Sequence, residues 1–272
     1  MSIADVTEHS LEQLVSLHGR VAVITGGAKG IGCGIARRLA EAGADVLLAD
    51  LDVSAADHVV QELVESFGVR ALAREVDVAE PSHVVALAQA ATGELGHLDI
   101  WVNNAGIYPT TRLLEMSDKD WQRVIDVNLT GAFLGAREAA SQMKEQGRGG
   151  VILNISSTAG FGAAGPGLAH YVSSKHGLVG LTKSLAIELA PLGIRVLGIA
   201  PTLIETPGIE ANREMFRKAG LGDVIRNLAE SLPLGRSGVP DDVARVALFC
   251  ASDLSMFMTG STLLVDAGDI AR

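Results

Sequence analysis

Short, largely apolar runs alternate with helical stretches along most of the 272-residue chain. An apolar run without polar alternation is typical of a parallel strand that is covered on both faces. A helix between consecutive parallel strands implies a right-handed βαβ unit. The sequence therefore predicts an α/β fold, a doubly wound parallel sheet of about seven strands in a three-layer αβα sandwich, the Rossmann fold. The strands are predicted at 21–24, 45–49, 69–76, 98–102, 151–155, 194–200 and 262–265.

Turn and capping residues place the helices between these strands. Two capping boxes, Ser54–Asp57 and Ser117–Asp120, predict helices that run to about Phe67 and to just before Gly147. A proline at a first helical position, Pro240, predicts another helix through about residue 251.

No shift in composition marks a second domain, so residues 17–272 are predicted to form one domain. Residues 1–16 are interpreted as an N-terminal appendage. The segment at about 202–236 is less regular than the rest and long enough to be a lid over a substrate pocket. With 48% hydrophobic and 20% charged residues, the chain has ample material for a packed core.

Charge and cysteine content limit the classes of function. A formal net charge of −10 argues against nucleic acids and anionic membranes as partners. The two cysteines, Cys33 and Cys250, do not indicate a disulfide framework, and no Cys or His cluster has metal-ligand spacing, so no metal is expected. No apolar run reaches the roughly 18–20 residues of a membrane helix, and the acidic start lacks the basic region of a signal peptide. These features predict a cytoplasmic protein.

The turn after the first strand is rich in glycine. Gly26, Gly30 and Gly32 lie within residues 25–32, although not in the Gly-x-Gly-x-x-Gly spacing. Such a turn can bring backbone amides and a helix N-terminus against a pyrophosphate. Ligands of doubly wound sheets bind beyond the carboxyl ends of the strands, which is where this turn is expected. A glycine-rich turn that holds no ligand is the competing interpretation.

The ends of the second and third predicted strands carry carboxylates. Asp50, followed by Leu51, can accept hydrogen bonds from ribose hydroxyls and would repel a 2′-phosphate, which favours NAD over NADP. Lys29 could attract that phosphate, but a carboxylate in contact with the hydroxyl excludes it more directly. Asp77 and Val78 could meet an adenine or form an ordinary turn.

A phenol and an ammonium lie four residues apart in Tyr171 and Lys175. On a helix these positions share one face. The lysine would favour the phenolate and lower the tyrosine pKa, so that Tyr171 could exchange a proton with an alcohol or a ketone near neutral pH. An incidental pair on a surface helix is the competing interpretation. His170 and His176 flank the pair and are expected to be packed or solvated.

Taken together, these motifs resemble those of the short-chain dehydrogenase/reductase family over residues 17–268. The matching positions are 25–32, 103–106, Asn128, the 156–157 serine pair, Tyr171 with Lys175, and 259–266. The resemblance implies that Tyr171 is the general acid/base, that Lys175 holds the nicotinamide ribose, and that Asn128 holds a water of a proton relay. It implies that a serine binds the substrate oxygen.

The chain departs from the family pattern at two places. The family's usual spacing between serine and tyrosine, counted back from Tyr171, places the serine position at Thr158. The usual spacing counted from the end of the preceding strand places it at Ser157, which we prefer. Thr202 stands where the family usually has a glycine after Pro201, so the sequence does not predict the path of the backbone beside the nicotinamide. The expected substrate pocket contains Ser157, Ala159, Phe161 and Tyr171.

The resemblance also implies a homotetramer and a small-molecule alcohol or ketone as substrate. The leading hypothesis is an NAD-dependent alcohol dehydrogenase or ketone reductase. An NADPH-dependent 3-oxoacyl thioester reductase and a catalytically silent nucleotide-binding scaffold are the alternatives. The residues expected at the cofactor are Gly26, Lys29, Gly30, Ile31, Gly32, Asp50, Leu51, Asp77, Val78, Asn104, Ala105, Gly106, Tyr171, Lys175, Pro201, Ile204 and Thr206.

Overall fold

The computed structural model describes residues 3–210, 213 and 223–271. Within them one sheet has the strand order β3-β2-β1-β4-β5-β6-β7, and every neighbouring pair is parallel. This arrangement confirms the predicted doubly wound α/β fold. The strands are β1 Val21–Thr25, β2 Asp45–Asp50, β3 Ala71–Glu75, β4 Ile100–Asn103, β5 Gly150–Ile155, β6 Ile194–Pro201 and β7 Thr262–Val265.

Helices cover both faces of the sheet. The helices are α1 Leu11–Val15, α2 Gly30–Glu41, α3 Val53–Phe67, α4 Pro81–Leu95, α5 Asp118–Ile125, α6 Gly131–Gln146, α7 Ala169–Leu189, α8 Val224–Ser231 and α9 Pro240–Ala251. Two separate clusters of buried apolar side chains lie between the helices and the sheet, one built with α2, α3 and α9, the other with α4, α6 and α7. No helix within the described ranges is both long enough and apolar enough to cross a membrane.

One predicted helix start is wrong and another is confirmed. The side chain of Asp52 accepts a hydrogen bond from the amide of Ala55 at 3.1 Å, so α3 begins at Val53 and not at the Ser54 capping box. A carboxylate two residues earlier reaches the free amides first. Ser117 and Asp120 form the predicted box at the start of α5.

The long helix predicted from residue 118 to 146 contains a π-helical turn. Residues Asp126–Thr130 form this turn between α5 and α6, and the residues on either side of it, Ile125 and Gly131, keep right-handed helical dihedral angles. Such insertions disturb the regular i→i−4 ladder and are frequent at functional sites. Here the turn contains Asn128, which is 1% exposed.

Buried amides join the middle strands to the helices on one face. The Asn103 amide donates to Asn154 Oδ1 at 2.9 Å and accepts from Trp101 Nε1 at 2.7 Å. Asn154 in turn donates to Thr182 of α7 at 2.9 Å. A satisfied buried network of this kind fixes relative positions, because each lost bond would leave a buried polar group without a partner. It therefore fixes α7, which carries the Tyr171–Lys175 pair, against β4 and β5.

The predicted lid is described in part. Residues 202–210, 213 and 223–236 lie within the described ranges, and the rest of that prediction lies outside them.

At the N-terminal end, Leu17 is fully buried and its amide donates to the carbonyl oxygen of Ala42 at 2.8 Å. The single-domain interpretation and the appendage at 1–16 remain predictions.

Candidate active site and cofactor cleft

The turn between β1 and α2 depends on its glycines. Gly26 and Gly30 have φ angles of +65° and +59°, a conformation that costs side-chain-bearing residues energy. A Cβ on Gly32 would lie 2.1 Å from the carbonyl oxygen of Gly26. The Asn104 amide donates to the carbonyl oxygens of Thr25 and Gly26, both at 2.9 Å. The turn is therefore held against the end of β4, with the N-terminus of α2 beside it.

A cleft of about 810 Å³ extends along these strand ends. Asp50 lies at the end of β2 in this cleft, and its carboxylate accepts hydrogen bonds from the amides of Ala28 and Asp52, both at 3.0 Å. The two backbone bonds orient the carboxylate. The Lys29 ammonium lies 3.8 Å from an Asp52 carboxylate oxygen, so part of its charge is already offset near the same end of the cleft.

The cleft has the size and chemistry of a dinucleotide site. Twelve of the predicted cofactor residues line it, from the glycine turn through Asp50 to Gly106 and Thr206. The carboxylate at one end fits a ribose, and the helix N-terminus in the middle fits the pyrophosphate. The small residues beyond it leave room for a second ribose. The residues present therefore fit a nicotinamide dinucleotide.

A second cavity of about 720 Å³ adjoins the cleft and contains Ser157, Tyr171 and Lys175. The Lys175 ammonium donates to the carbonyl oxygen of Ile155 at 2.8 Å and lies 5.8 Å from the centre of the Tyr171 ring. The Tyr108 ring meets the Tyr171 ring edge-on, with centroids 6.2 Å apart. Tyr108 lines both the cleft and the cavity, so it lies where the two meet.

Burial dominates the electrostatics of this cavity. It raises the pKa of Tyr171, and a hydrogen bond from the Ser157 side chain opposes that rise. Burial also lowers the pKa of Lys175 to about 8. The protein groups by themselves thus move the pKa of Tyr171 opposite to the direction expected from its lysine neighbour, because desolvation of the phenolate is the largest influence on it.

The structure favours Ser157 over Thr158 as the partner of the phenol. Both side chains line the cavity, but the Ser157 hydroxyl is the one whose interaction with the phenol lowers the pKa of Tyr171. Its hydroxyl also accepts from the Ala159 amide at 3.1 Å, which orients it at the start of a short 3₁₀ turn.

The side chain of Asn128 connects a loop to α7. Its Oδ1 accepts from the Ile107 amide at 2.8 Å, and its Nδ2 donates to the Ile107 carbonyl at 2.9 Å and to Ser174 at 3.2 Å. A cavity of about 10 Å³, close to the minimum for one water, lies between Asn128 and Lys175. The predicted water-holding role of Asn128 is compatible with this arrangement.

Comparison with known proteins identifies the family. A family model described as "Enoyl-(Acyl carrier protein) reductase" matches residues 26–269. The chain is 37% identical to the 3-oxoacyl-[acyl-carrier-protein] reductase FabG of Aquifex aeolicus, with 93% of this chain and 98% of that protein covered. It is 40% identical to 3beta-hydroxysteroid dehydrogenase 1 of Eggerthella lenta, with 93% and 94% covered.

Solved structures agree. The crystal structure of a short-chain type dehydrogenase/reductase from Mycobacterium marinum superposes with a TM-score of 0.88 at 36% identity, covering 97% of this chain and all of that one. The chain belongs to the short-chain dehydrogenase/reductase family. It is therefore a nicotinamide-dependent oxidoreductase that interconverts a hydroxyl and a carbonyl group by hydride transfer. Another member, a proposed 2-deoxy-d-gluconate 3-dehydrogenase from Agrobacterium tumefaciens crystallised with NADP, has a TM-score of 0.83 at 36% identity, covering 95% and 99%.

The structure of this short-chain dehydrogenase/reductase divides the predicted cofactor residues into three groups. Tyr171, Lys175, Pro201 and Ile204 line the catalytic cavity and not the cleft. Gly32 lies behind the turn, where its missing side chain lets α2 pack closely against Gly26. The remaining twelve line the cleft, and they are Gly26, Lys29, Gly30, Ile31, Asp50, Leu51, Asp77, Val78, Asn104, Ala105, Gly106 and Thr206.

Sequence reasoning did not find every residue at the catalytic cavity. Ala159 and Phe161 line it as predicted, and Phe161 is 43% exposed at its rim. Asp269 and Ile270 line it as well, although they lie almost at the C-terminus. The sequence feature that could have pointed to these two residues is Thr202, which replaces the family's usual glycine. The Thr202 hydroxyl donates to Asp269 at 2.6 Å.

Proposed function

We propose that this enzyme is an NAD-dependent dehydrogenase that interconverts a secondary alcohol and a ketone. The observation that carries the proposal is the meeting of Ser157, Tyr171 and Lys175 in one cavity, next to a cleft that ends at the Asp50 carboxylate. The bound nicotinamide would accept or supply the hydride, and the protein supplies binding, orientation and proton transfer.

Tyr171 is the proton-transfer group in this mechanism. In reduction its hydroxyl donates a proton to the oxygen that forms from the carbonyl, and in oxidation its phenolate accepts that proton. The Ser157 hydroxyl holds the same oxygen and stabilises the charge that develops on it. Because burial raises the pKa of Tyr171, the protein groups by themselves keep it protonated, which is the form that reduction requires.

Lys175 supplies positive charge next to the phenol. The ammonium is buried, and its hydrogen bond to Ile155 holds it 5.8 Å from the centre of the Tyr171 ring. When Tyr171 loses its proton, this charge stabilises the phenolate, and the interaction is strong because the surroundings are poorly solvated.

A second candidate activity is reduction of a 3-oxoacyl thioester with NADPH. The similarity to the Aquifex reductase favours it, and Lys29 could attract a 2′-phosphate. The Asp50 carboxylate in the same region opposes it, and the Lys29–Asp52 ion pair weakens the attraction. Kinetics with both cofactors, a ring ketone and an acetoacetyl thioester would separate the two candidates.

We also propose a cytoplasmic homotetramer. Apolar side chains remain exposed on helices that the family pairs across subunits, with Trp121 on α5 at 38%, Phe133 on α6 at 43% and Ile187 on α7 at 81%. Phe257, near the C-terminal strand, is fully exposed. Their burial between subunits would remove this apolar surface from water. Light scattering that showed a monomer would contradict the proposal.

The catalytic proposal is tested by two matched tyrosine variants. Tyr171→Phe removes the proton-transfer hydroxyl and should lower kcat for ketone reduction by about 100-fold or more, while NADH affinity is retained. Tyr108→Phe removes a phenol hydroxyl from the same cavity and should keep most of the activity. A Tyr171→Phe enzyme with near-normal turnover would refute the role of Tyr171. A wild-type protein that binds NADH but reduces no ketone or thioester would instead support the scaffold hypothesis.

A further inference from the structure

The first turn of α7 carries a buried histidine next to Tyr171. His170 is fully buried, whereas His176, further along the same helix, is exposed. α7 packs against α5, and the Asp120 carboxylate of α5 acts on the imidazole, so the ring lies on the α5 side of α7. His170 is not among the residues that line the cavity with Tyr171. Any effect of His170 on the reaction must therefore pass through other groups of the protein.

The His170 ring is bonded to the backbone of Tyr171. Its Nδ1 accepts a hydrogen bond from the Tyr171 amide at 2.8 Å. The hydrogen-bond ladder of α7 begins with the bond from the Val172 amide to the Leu168 carbonyl, at 2.8 Å. The Tyr171 amide thus lies in the first turn, where amides have no partner within the helix. His170 supplies the acceptor that the helix does not provide.

Only the neutral imidazole can accept this bond. Nδ1 has a free lone pair when the proton is on Nε2, and it has none when both nitrogens carry protons. Burial lowers the pKa of His170, although the Asp120 carboxylate opposes that shift, so the ring is neutral at neutral pH. Nε2 has no hydrogen-bond partner among the residues that the structure describes. Within that part of the chain, the bond to Tyr171 is therefore the one hydrogen bond of the ring.

The carbonyl side of Tyr171 is held as well. The Ser174 hydroxyl donates to the Tyr171 carbonyl oxygen at 2.7 Å, and Asn128 Nδ2 donates to Ser174 at 3.2 Å. Asn128 is bonded in turn to the amide and the carbonyl of Ile107. Side chains thus hold the backbone of Tyr171 from two directions, His170 at its amide and Ser174 at its carbonyl. The phenol that lines the cavity is attached to this fixed backbone.

We propose that His170 is a positioning residue for the reaction: by holding the Tyr171 amide, its Nδ1 keeps the phenol hydroxyl within hydrogen-bonding distance of the substrate oxygen. The inference rests on the proposed role of Tyr171 as the proton-transfer group. Proton transfer needs the two heavy atoms within roughly 2.6–3.2 Å, and a misplacement of about 1 Å can cost about 100-fold in rate. Without the bond, the first turn of α7 is free to shift, and the phenol shifts with it.

Two substitutions at position 170 separate the acceptor from the rest of the ring. His170→Asn places an amide oxygen where Nδ1 lies and removes Nε2, whose loss breaks no bond within the described residues. His170→Leu fills similar space but accepts no hydrogen bond. His176→Leu is the matched control, because the His176 imidazole also contacts the backbone of α7, at the Val172 carbonyl oxygen, but is exposed and does not touch the Tyr171 amide.

Reduction of cyclohexanone with NADH provides the kinetic test. His170→Leu should lower kcat by about tenfold, with KM for the ketone and affinity for NADH within about twofold of the wild type. His170→Asn and His176→Leu should keep kcat within about threefold, and all three variants should keep the urea midpoint of the wild type. An unchanged kcat in His170→Leu overturns the inference, and so does a loss in His170→Asn as large as that in His170→Leu.

A double variant tests whether His170 acts through the phenol. In the Tyr171→Phe background, His170→Leu should lower the residual kcat by no more than about twofold, because the hydroxyl that it positions is already missing. A further tenfold loss in that background would mark a general structural role and overturn the inference.

The position of the phenol can also be followed without turnover. The chain has two tyrosines, so protein labelled with 3-fluorotyrosine gives two fluorine NMR signals, and Tyr108→Phe assigns them. His170→Leu should shift or broaden the Tyr171 signal, whereas His170→Asn and His176→Leu should leave it in place. An unchanged signal in His170→Leu overturns this inference alone. A Tyr171→Phe enzyme with near-normal kcat overturns the proposed function and this inference with it, so the two failures are distinguishable.

Discussion

Replacement of Asp50 by asparagine should change cofactor preference from NAD towards NADP. The wild-type carboxylate is oriented by the Ala28 and Asp52 amides in the cleft. A 2′-phosphate in hydrogen-bonding range would place two negative charges about 4 Å apart, a repulsion of about 4 kcal/mol at an effective dielectric of about 20. Asp50 is only partly buried, so solvent and salt should reduce the difference to about 1.5–3 kcal/mol.

The expected result is a rise of about 10- to 100-fold in the ratio of kcat/KM for NADP to kcat/KM for NAD. Part of it should come from weaker NAD binding, because charge-assisted bonds to the ribose hydroxyls are lost. Steady-state kinetics with both cofactors at constant ionic strength measure the ratio, and higher salt should decrease the wild-type preference.

Asp77→Asn is the matched control for this experiment. Asp77 also lines the cleft at a strand end, and its carboxylate accepts from the Ala79 amide at 2.9 Å, so the substitution removes an equivalent charge. It should leave the cofactor ratio within about threefold of the wild type. The reasoning is refuted if Asp50→Asn leaves the ratio unchanged, if Asp77→Asn changes it equally, or if the wild type prefers NADP.

Three further predictions concern the catalytic cavity and the glycine turn. Because the pKa of Tyr171 is raised, kcat/KM for ketone reduction should be constant at neutral pH and fall as the pH rises through that pKa; a fall on the acid side would contradict this. Lys175, with a pKa of about 8 against an ordinary 10.5, binds fewer protons folded than unfolded, so it destabilises the fold below pH 8 and stability recovers as the pH rises towards 10.5. In urea unfolding at pH 7, the free energy of unfolding of Lys175→Met should therefore exceed that of the wild type by about 1–3 kcal/mol, minus the contribution of the lost hydrogen bond to Ile155. A variant less stable than the wild type would contradict this prediction. Gly32→Ala should weaken NAD binding by about tenfold or more in calorimetry, because its Cβ would meet Gly26, and unchanged affinity would count against a tightly packed turn.

Much of the fold could be predicted because its signals are local. The strands near residues 45–50 and 150–155 were predicted to within one residue, since each apolar run ends at a glycine or at a polar residue. The α3 start was missed because two acceptors, Asp52 and Ser54, compete within three residues, and only the backbone path decides between them. The π-helical turn has no separate signal, since its residues are compatible with an ordinary helix.

The candidate site was predictable where the reactive side chains lie on a single helix face or at the end of a single strand. Tyr171 and Lys175 could be paired from their spacing alone, and Asp50 from its place after β2. The direction in which the pKa of Tyr171 is shifted could not be predicted, because it depends on how much of the phenol the surrounding loops bury. The interaction with Tyr171 that distinguishes Ser157 from Thr158 likewise depends on the path of the loop.

By itself, the sequence determined the order of strands and helices, the glycine turn, and the residue types available for hydride-transfer chemistry, since all of these are encoded within a few neighbouring residues. Only the tertiary structure decided that Asp269 shares a cavity with Tyr171, although 98 positions separate them in the chain. The parallel sheet brings the ends of β5, β6 and β7 to one edge. Contacts across that edge follow from the order of the strands within the sheet and from the backbone path, which no local pattern contains.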